Sequence, residues 1–388
     1  MIRKILTYLS FINKIKFEFK INKRPFLLIG SENDTYLFKQ YISRDVQVTQ
    51  YPVKLNFFIL ILTFFKKKKS KKLLQNYMIN YIEYCDPKMI INFIDNYMNF
   101  YEFKNYFSKK KFIVIQNGYR GGPNDIFYYI KKKPNQTQWK CDYLLTFNDV
   151  IGNEFKKYID CKTLTIGSFR NNFFQNFNNY KKNSLAFIST YEFKNEYSIF
   201  YQKGEKKIYF RDFYKAEEII IKFLKKYCEK NDLFFSIILK TNDQREKNFY
   251  NNIVNGNLNF FDRSDKYSSY DYLEKVNYFV GTESTMTYEA LSKKKRIAAL
   301  TIRENLLKDL TGVKLEGLSF CWPGKLDHEG KFWTHFPNSN SFSKVLDFVV
   351  KSSDDEWNLE LNKMNKDFKV YYDKNNFILN NLIKEYID

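Results

Sequence analysis

The sequence predicts an α/β protein with two doubly wound, Rossmann-like domains that face each other across a cleft. One observation behind this is that short apolar runs alternate with stretches of helical spacing along the chain. Strands of a parallel sheet are buried on both faces and therefore read as continuous apolar runs. A second observation is that this rhythm occurs twice, separated by the Asn- and Lys-rich segment 171–183. The chain has 388 residues, which is enough for two cores.

The first predicted domain covers residues 1–170. Its buried strands are predicted from five apolar runs, at 26–29, 89–94, 112–115, 143–147 and 163–166. The first run ends at Gly30, and the third is followed by Asn117-Gly118, a strong turn signal. Helical spacing follows the first run as far as Ile42 and occurs again at 73–84.

The second predicted domain covers residues 184–353, with 171–183 as the linker. Its strands and helices are predicted at 185–189, 216–230, 234–239, 278–280, from Thr285, and at 297–300. The final segment, 354–388, has a polar helical pattern, and we expect it to be a helical extension that packs back on the first domain. Parallel sheets of this kind bind ligands at the carboxyl ends of their strands.

Composition narrows the classes of function. The formal net charge is +21, but only 10 of the 64 basic residues are Arg, the residue type preferred for reading nucleic acid. We therefore expect anionic partners such as nucleotide phosphates, and no nucleic acid. The five cysteines are scattered and odd in number, which favours a reducing compartment over a disulfide framework. Only two histidines are present, His328 and His335, and neither is near a cysteine, so no metal or other cofactor is expected.

The most apolar stretch of the chain is LNFFILILTFF at 55–65, followed by six lysines within 66–72. Eleven residues are too few to cross a bilayer as a helix. One interpretation is a buried core segment that ends in a solvated charge run. The other is an anchor on the membrane surface, with lysines on anionic headgroups. The N-terminus lacks the pattern of a signal peptide, so we expect a cytoplasmic protein, peripheral on the membrane if the second interpretation holds.

The segment 276–300 carries the strongest pattern for chemistry. A buried strand ends at Gly281, and a helix is predicted to begin directly afterwards. Backbone amides at a helix N-terminus bind anions, so this end would suit a diphosphate. The hydroxyls that would assist are those of Thr282, Ser284 and Thr285.

Glu289 lies one helical turn beyond Thr285 and on the same side of the predicted helix. A carboxylate there could accept hydrogen bonds from two ribose hydroxyls, and we expect it to have no partner in the core. The alternative is an ordinary Ser/Thr N-cap followed by a surface glutamate. Lys240 follows the predicted strand at 234–239 and would add a cation at the same edge, unless it is simply solvated.

Polar residues also follow the buried strands of the first domain. Asp95 and Asn96 come directly after one strand, and the next ends in the sequence IQNGYRGG, which contains Gln116, Asn117 and Arg120. Strand ends are where α/β enzymes carry their working groups, although turn and cap residues give the same pattern. Asp95 is our first candidate for a general base and Asn117 a further catalytic candidate, with Glu32 and Asp34 as weaker ones.

Four motifs resemble a known family: FIDN at 93–96, IQNG at 115–118, GSFR at 167–170 and STMTYEAL at 284–291. Their order is similar to that in bacterial surface carbohydrate biosynthesis proteins of lipopolysaccharide and capsule gene clusters. The last motif is also similar to a helix of bacterial Kdo transferases. Two elements depart from the family pattern: ISTY at 188–191 stands in place of I-S-Q-W, and GTE at 281–283 stands where Asp is frequent.

The resemblance implies a GT-B-like fold whose second domain binds a nucleotide-sugar donor. It carries over two sets of site residues. The donor set is Ser284, Thr285, Tyr288 and Glu289, and the acceptor-side set is Asp95, Asn96, Gln116, Asn117 and Arg170.

Together these features predict a glycosyltransferase that builds a surface polysaccharide from a nucleotide sugar and a lipid-linked or oligosaccharide acceptor. The sequence contains no D-x-D, G-x-G-x-x-G or P-loop motif, which favours a metal-independent enzyme. Two alternatives remain open. One is a phosphoglycerol-type transferase that uses a CDP-alcohol. The other is a non-catalytic basic protein that binds membrane surfaces or nucleic acid.

Overall fold

The structure is a computed structural model that describes most of the chain. The described residues are 16–30, 32–39, 47–49, 54–66, 69–70, 72–123, 125–132, 139–174, 181–265, 267–321, 326–364 and 369–387. They form two domains, each built on a six-stranded sheet in which every pairing is parallel. This confirms the predicted fold class.

The sheet of the first domain has the strand order β3-β2-β5-β6-β7-β8. Its strands are β2 (Phe26–Ile29), β3 (Gln47–Thr49), β5 (Met89–Asn92), β6 (Lys111–Ile115), β7 (Lys140–Thr146) and β8 (Asp160–Thr165). A separate parallel pair is formed by β1 (Lys16–Glu18) and β4 (Lys54–Asn56). The strand order reverses between β2 and β5, which is where doubly wound sheets open a crevice for ligands.

The sheet of the second domain has the order β13-β12-β9-β14-β15-β16. Its strands are β9 (Lys181–Ile188), β12 (Phe234–Ile238), β13 (Asn259–Phe261), β14 (Val276–Gly281), β15 (Arg296–Leu300) and β16 (Trp333–Thr334). After β9 the chain makes an antiparallel hairpin from β10 (Ile199–Lys203) and β11 (Lys206–Tyr209). The order reverses between β9 and β14, so the second crevice lies at their carboxyl ends.

Helices cover both faces of the sheets. Those of the first domain are α1 (Glu32–Lys39), α2 (Phe57–Phe65), α3 (Leu73–Cys85), α4 (Met98–Phe103), α5 (Ile126–Lys132), α6 (Asp149–Lys156) and α7 (Phe169–Phe173). Those that follow are α8 (Phe210–Phe213), α9 (Lys215–Lys230), α10 (Gln244–Val254), α11 (Ser268–Leu273), α12 (Thr285–Ser292), α13 (Arg303–Thr311), α14 (Ser339–Lys351), α15 (Asp354–Lys363) and α16 (Phe377–Ile387). Short 3-10 turns lie at Lys104–Tyr106 and Lys374–Asn376. Among the described helices, none is both long enough and apolar enough to cross a bilayer.

The predicted linker, 171–183, is too long at both ends. Helix α7 includes Asn171 and Asn172, which are buried, and β9 already begins at Lys181. Asn172 donates to the carbonyl of Ile166 at 2.7 Å and to the Asn376 side chain at 2.9 Å. An Asn-rich segment reads as a loop in sequence, but tertiary partners satisfy these amides here.

The C-terminal segment divides between the two domains. Trp357 of α15 packs against Phe332 of the second domain, with ring centroids 5.2 Å apart. Leu379, Leu382 and Ile383 of α16 instead share a core with the strands of the first domain. The last helix therefore packs back on the first domain.

Candidate functional site

The junction between β14 and α12 lies at the centre of the candidate site. A Cβ atom at Gly281 would overlap the side chain of Thr287, so only glycine lets the helix begin this close to the strand. Ser284 is the N-cap residue, but its side chain makes no capping hydrogen bond to the helix. The ordinary N-cap interpretation is therefore wrong for this serine. The N–H of Thr287 donates to the carbonyl of Ser284 at 3.0 Å, whereas the Ser284 side chain caps neither of the two preceding amides, those of Thr285 and Met286. These two amides are positioned to bind an anion.

Two cavities meet at this helix end. The first, which we call the aromatic cavity, measures about 490 Å³ and is lined by Phe200, Phe210, Phe213 and Tyr214, together with Thr190, Glu192, Glu283 and Arg303. The second, the interdomain cavity, measures about 200 Å³ and is lined by Asn117, Arg170, Arg263, Tyr270 and Glu289 among others. Both are lined by Ser189, Lys240, Ser284 and Thr285. The helix end thus stands between two spaces that one elongated ligand could occupy together.

Lys240 lies at the edge where the sequence predicted it. Its ammonium is 2.7 Å from Glu192 Oε1 and 3.4 Å from the carbonyl oxygen of Thr190. The hydrogen bond from Lys240 lowers the pKa of Glu192, which is half exposed. Lys240 therefore supplies a cation beside Ser284 whose present partner is a solvated carboxylate.

Glu289 is buried and well partnered. The hydroxyl of Tyr270 donates to both of its carboxylate oxygens at 3.1 Å, and Ser168 of the first domain donates to one of them. Burial raises the pKa of Glu289, although these hydrogen bonds act in the opposite direction. The side chain lines the interdomain cavity as predicted. The expectation that it has no core partner is wrong.

Thr285 and Tyr288 join the two domains. The backbone N–H of Tyr119 donates to Thr285 Oγ1 at 3.0 Å. The Tyr288 ring stacks between Tyr119, at 4.2 Å, and Phe320, at 5.5 Å. Tyr288 is only 1% exposed, and burial raises its pKa above 10. Its ring packs the domain interface and is not placed for direct contact with a donor. Thr282 is also buried, so of the predicted hydroxyls only those of Ser284 and Thr285 face the cavities.

Asp95 forms a buried ion pair with Arg120. The guanidinium binds both carboxylate oxygens, with Nε 2.6 Å from Oδ2, and the N–H of Asn117 donates to Oδ1 at 3.2 Å. Burial alone would lower the pKa of Arg120, but Asp95 raises it. Asp95 is 0% exposed. A general base must reach its substrate and have a free lone pair. The geometry therefore contradicts that role for Asp95.

The other predicted site residues of the first domain either hold loops together or line the cleft between the domains. Gln116 connects two loops, because its side chain donates to the carbonyl of Gly118 and accepts from the N–H of Phe147, both at 2.8 Å. Asn117 lines the interdomain cavity while accepting a hydrogen bond from Arg120 at 2.7 Å. Arg120 itself is buried, and Asn96 is exposed on the neighbouring loop. Of the predicted acceptor-side residues, Asn117 and Arg170 line the interdomain cavity, whereas Asp95, Asn96, Gln116 and Arg120 do not.

Arg170 lines the interdomain cavity and pairs with Asp34 through two hydrogen bonds, at 2.7 and 3.0 Å. Burial alone would lower the pKa of Arg170, but Asp34 raises it. Asp34 is buried in this pair, which leaves it no accessible oxygen for base chemistry. The side chain of Glu32 lies outside the described residues.

A buried ionic network under the aromatic cavity was missed by the sequence reasoning. Arg303 is 1% exposed and pairs with both Glu217 and Glu283. Its guanidinium also lies 4.1 Å from the ring centroid of Phe213. Glu283 and Arg303 each follow a buried strand, which was a usable signal. Glu217 sits within an amphipathic helix, where nothing in the sequence marks it.

A third cavity, of about 450 Å³, lies between the glycine loop of the first domain and a loop of the second. Gly121, Gly122 and Gly317 line it together with Lys131, Lys203 and Lys314. A Cβ atom at Gly317, whose φ is +83°, would overlap the backbone of Gly121. Within the described residues, no group of three or more His, Cys, Asp or Glu side chains could hold a metal ion.

Residues 113–387, more than half of the chain, match the sequence profile of a protein family described as "putative O-antigen biosynthesis protein". The chain belongs to this family of surface polysaccharide biosynthesis. This confirms the resemblance seen in its motifs. No curated protein matches the sequence.

Solved structures confirm the GT-B fold. A glycosyltransferase from Rickettsia africae ESF-5 superposes with a TM-score of 0.51 at 10% identity, covering 95% of this chain and 100% of its own. The wall teichoic acid polymerase TagF superposes with a TM-score of 0.52 at 12% identity, covering 100% of this chain and 97% of its own. At such identities the likeness establishes the architecture only.

Proposed function

We propose that the protein is a glycosyltransferase that moves a sugar from a nucleotide-activated donor to a lipid-linked or oligosaccharide acceptor of surface polysaccharide synthesis. The observation that carries this proposal is the N-terminus of α12, which has no side-chain cap and lies where two cavities meet. Membership of the O-antigen biosynthesis family supports the same reading. The five free cysteines suit a reducing cytoplasm, where we place the enzyme.

The donor diphosphate would bind at this helix end. The first-turn amides and the hydroxyl of Ser284 would donate to its oxygens, and Lys240 would add a positive charge. Thr285 can still donate its hydroxyl proton, because its oxygen is the acceptor in the contact with Tyr119. These groups would also stabilise the charge that develops on the phosphate as the glycosidic bond breaks.

The rest of the donor would divide between the two cavities. The interdomain cavity would take the nucleoside, with Glu289 accepting hydrogen bonds from the ribose hydroxyls. The aromatic cavity would take the sugar, whose apolar face would pack on the rings and whose hydroxyls would reach Thr190. A nucleotide sugar would thus bind in one orientation, with its diphosphate at the helix end between the two cavities.

Because both oxygens of Asp95 bind Arg120, we propose Glu283 as the group that accepts the proton of the acceptor hydroxyl. Glu283 pairs with Arg303 through Oε2 alone, and its Oε1 makes no hydrogen bond to the described residues. It lines the aromatic cavity next to Ser284, and burial raises its pKa above the ordinary glutamate value even though Arg303 acts to lower it. A base with a raised pKa takes up a proton more readily near neutral pH. Arg303 would hold the carboxylate in place.

Donor identity can be tested by titrating a panel of UDP-, CMP-, GDP- and CDP-linked sugars, together with CDP-glycerol, into the protein. We expect one nucleotide sugar to raise the melting temperature in a concentration-dependent way, since it binds only the native state. Stabilisation by CDP-glycerol alone would favour the phosphoglycerol-type transferase. No stabilisation by any member would overturn the donor assignment.

Two N-cap serines give a matched pair for locating the diphosphate. Ser284→Ala should weaken binding of the diphosphate donor by roughly fivefold or more, leave the free nucleoside unaffected, and change the melting temperature little, because Ser284 does not cap its helix. Ser353 forms a true capping box on α15. Ser353→Ala should therefore cost about 1 kcal/mol of stability and leave donor binding unchanged. Equal donor affinities in both variants would place the diphosphate elsewhere.

The base assignment predicts a separation of turnover from binding. Glu283→Gln should lower kcat by roughly 100-fold while donor affinity stays within a few-fold. In the wild type, kcat/KM should fall as pH drops through the raised pKa of Glu283, because the protonated carboxyl cannot accept a proton. A donor affinity that falls as far as kcat would make Glu283 a donor contact instead.

A further inference from the structure

Helix α2 presents its apolar side to solvent. Five of its nine residues are exposed, and all five are apolar: Phe57, Phe58, Ile61, Phe64 and Phe65. Their spacing of i, i+1, i+4, i+7 and i+8 places them on one face of the helix. Phe64 is 65% and Phe65 85% exposed, values that belong to side chains with few neighbours. An ordinary surface helix has the opposite arrangement.

The inward side of α2 is the more polar one. Ile59 and Thr63 are its buried residues, and Asn80 of α3 donates to Thr63 Oγ1 at 3.1 Å. Thr63 also donates back to the carbonyl of Ile59 at 2.7 Å. The run of apolar residues at 55–65 is therefore not simply a core segment, because most of its large side chains point away from the core.

Neighbouring elements extend the exposed face. The rings of Phe17 and Phe19 lie 6.2 and 5.7 Å from the ring of Phe57, and both are exposed. Leu73 and Leu74, at the start of α3, are exposed as well. We name these nine side chains the apolar face. A cluster of exposed apolar groups of this kind marks an interaction surface.

Lysines border the apolar face at the C-terminal end of α2. Lys66 and Lys69 are about half exposed and share a single partner, Glu83. Lys72 is more exposed and lies 3.8 Å from Glu102. These described lysines outnumber their carboxylate partners, and the sequence has six lysines within 66–72. The border therefore has a net positive charge beside apolar side chains.

This border lies at the same end of the first domain as the cleft. Helix α3 leads into β5, so it runs against the strands and begins at their carboxyl edge. Gln75 in its first turn donates to Glu102 of α4, which follows the carboxyl end of β5, at 2.5 Å. Phe64 and Phe65, together with Lys66, Lys69 and Lys72, thus lie near the carboxyl edge of the first-domain sheet.

We propose that the apolar face docks on the surface of an anionic bilayer, with α2 lying in the headgroup layer and the lysines on lipid phosphates. A helix of nine residues is too short to cross a membrane, so it can only lie on one. A second copy of this chain is a poor occupant, since it would bring together two proteins that each carry a formal charge of +21. Docking in this way would bring the cleft to a lipid-linked acceptor. The proposal stands whether or not the donor assignment holds.

The experiment is co-sedimentation of the full chain with phosphatidylcholine vesicles that contain or lack phosphatidylglycerol. We expect binding to the anionic vesicles, weakened but not abolished by high salt, because only the lysine part of the contact is screened. Phe64→Ser with Phe65→Ser should reduce the partition constant by at least tenfold. Replacing Lys66, Lys69 and Lys72 by Gln should reduce it by about fivefold per lysine.

Phe377→Ser is the matched control, because Phe377 is as exposed as Phe64 but lies on α16. Melting curves of all variants should coincide with that of the wild type, since exposed side chains contribute little to the core. Failure of the wild type to sediment with anionic vesicles would overturn the proposal. An equal loss of vesicle binding in Phe377→Ser would also overturn it. So would a wild-type dimer, detected by light scattering, that binds no vesicles and that dissociates in the variant Phe64→Ser with Phe65→Ser.

Discussion

In the first domain Asp95 follows β5 and its carboxylate is enclosed by Arg120, whereas in the second domain β14 is followed by a helix that has no side-chain cap. Both positions are the reversal points of doubly wound sheets, so topology alone gives them equal claim to a ligand. They differ in whether their polar groups already have hydrogen-bond or ion-pair partners within the protein. Satisfied groups stabilise the fold, while unsatisfied groups beside a cavity are available to a ligand.

The largest effect that this comparison predicts is on stability at Asp95. Asp95→Asn should lower the free energy of unfolding by about 3–5 kcal/mol, because it leaves the Arg120 guanidinium buried without its counter-charge. Urea denaturation of the wild type and the variant measures the difference. The charge-neutral double variant Asp95→Asn with Arg120→Gln should recover part of the loss.

A stable Asp95→Asn variant with turnover reduced 100-fold would reverse this view. It would mean that the loop opens during the reaction and exposes the carboxylate as a base. Asp95 would then be available to a ligand, and the proposed difference between the two strand ends would be wrong.

Glu289 combines both properties, since it lines a cavity and is also hydrogen-bonded to Tyr270 and Ser168. Glu289→Ala should weaken donor binding by roughly 10- to 150-fold, through the loss of charge-assisted bonds worth about 1.5–3 kcal/mol. It should also cost about 1–3 kcal/mol of stability, because buried donors lose their acceptor. Calorimetric titration and a melting curve measure the two effects separately.

Two further variants sharpen the interpretation. Ser168→Ala removes one partner from the first domain and should affect stability more than donor affinity. Glu289→Gln keeps an acceptor for Tyr270, so it should be less destabilised than Glu289→Ala while its donor affinity is still reduced. If Glu289→Ala loses stability but binds the donor normally, Glu289 is an interface residue only.

The elements of the fold that the sequence reveals are those whose signal is local. Strands buried on both faces are apolar throughout, and the glycine that ends β14 and the hydroxyls that follow it mark a strand followed by a helix start. The predicted linker was too long because Asn171 and Asn172 look like loop residues until their tertiary partners are known.

The candidate site was less predictable because its partners are distant in sequence. Asp95 and Arg120 are 25 residues apart, and Arg303 and Glu217 are 86 apart. A carboxylate after a strand looks the same in sequence whether a guanidinium encloses it or a cavity opens beside it. The three-dimensional structure separates the two: both oxygens of Asp95 bind Arg120, whereas Glu283 pairs with Arg303 through Oε2 alone and lines the aromatic cavity.

The ion pair between Lys240 and Glu192 predicts a smaller effect on donor affinity. Mutation of its two residues should change that affinity in opposite directions. Lys240→Met should weaken donor binding by about fivefold, because it removes a partly solvated cation from the helix end. Glu192→Gln should strengthen binding slightly, since the ammonium then has no competing carboxylate at 2.7 Å. Titrations at low and high salt check both, and the difference between the variants should shrink as salt rises.

The smallest expected effect is that of metal removal. The charge of the donor diphosphate would be met by the amides of α12 and by Lys240, and no group of three metal-ligating side chains occurs among the described residues. We therefore expect donor affinity and turnover to be unchanged by EDTA and unaffected by added magnesium or manganese. Calorimetric titration of the donor with and without chelator measures this directly. Loss of binding in EDTA that magnesium restores would show that a metal ion carries part of the phosphate charge. The N-terminus of α12 would then be one of two groups that bind the phosphate charge. The contrast between this helix end and the enclosed Asp95–Arg120 pair would no longer explain where the donor binds.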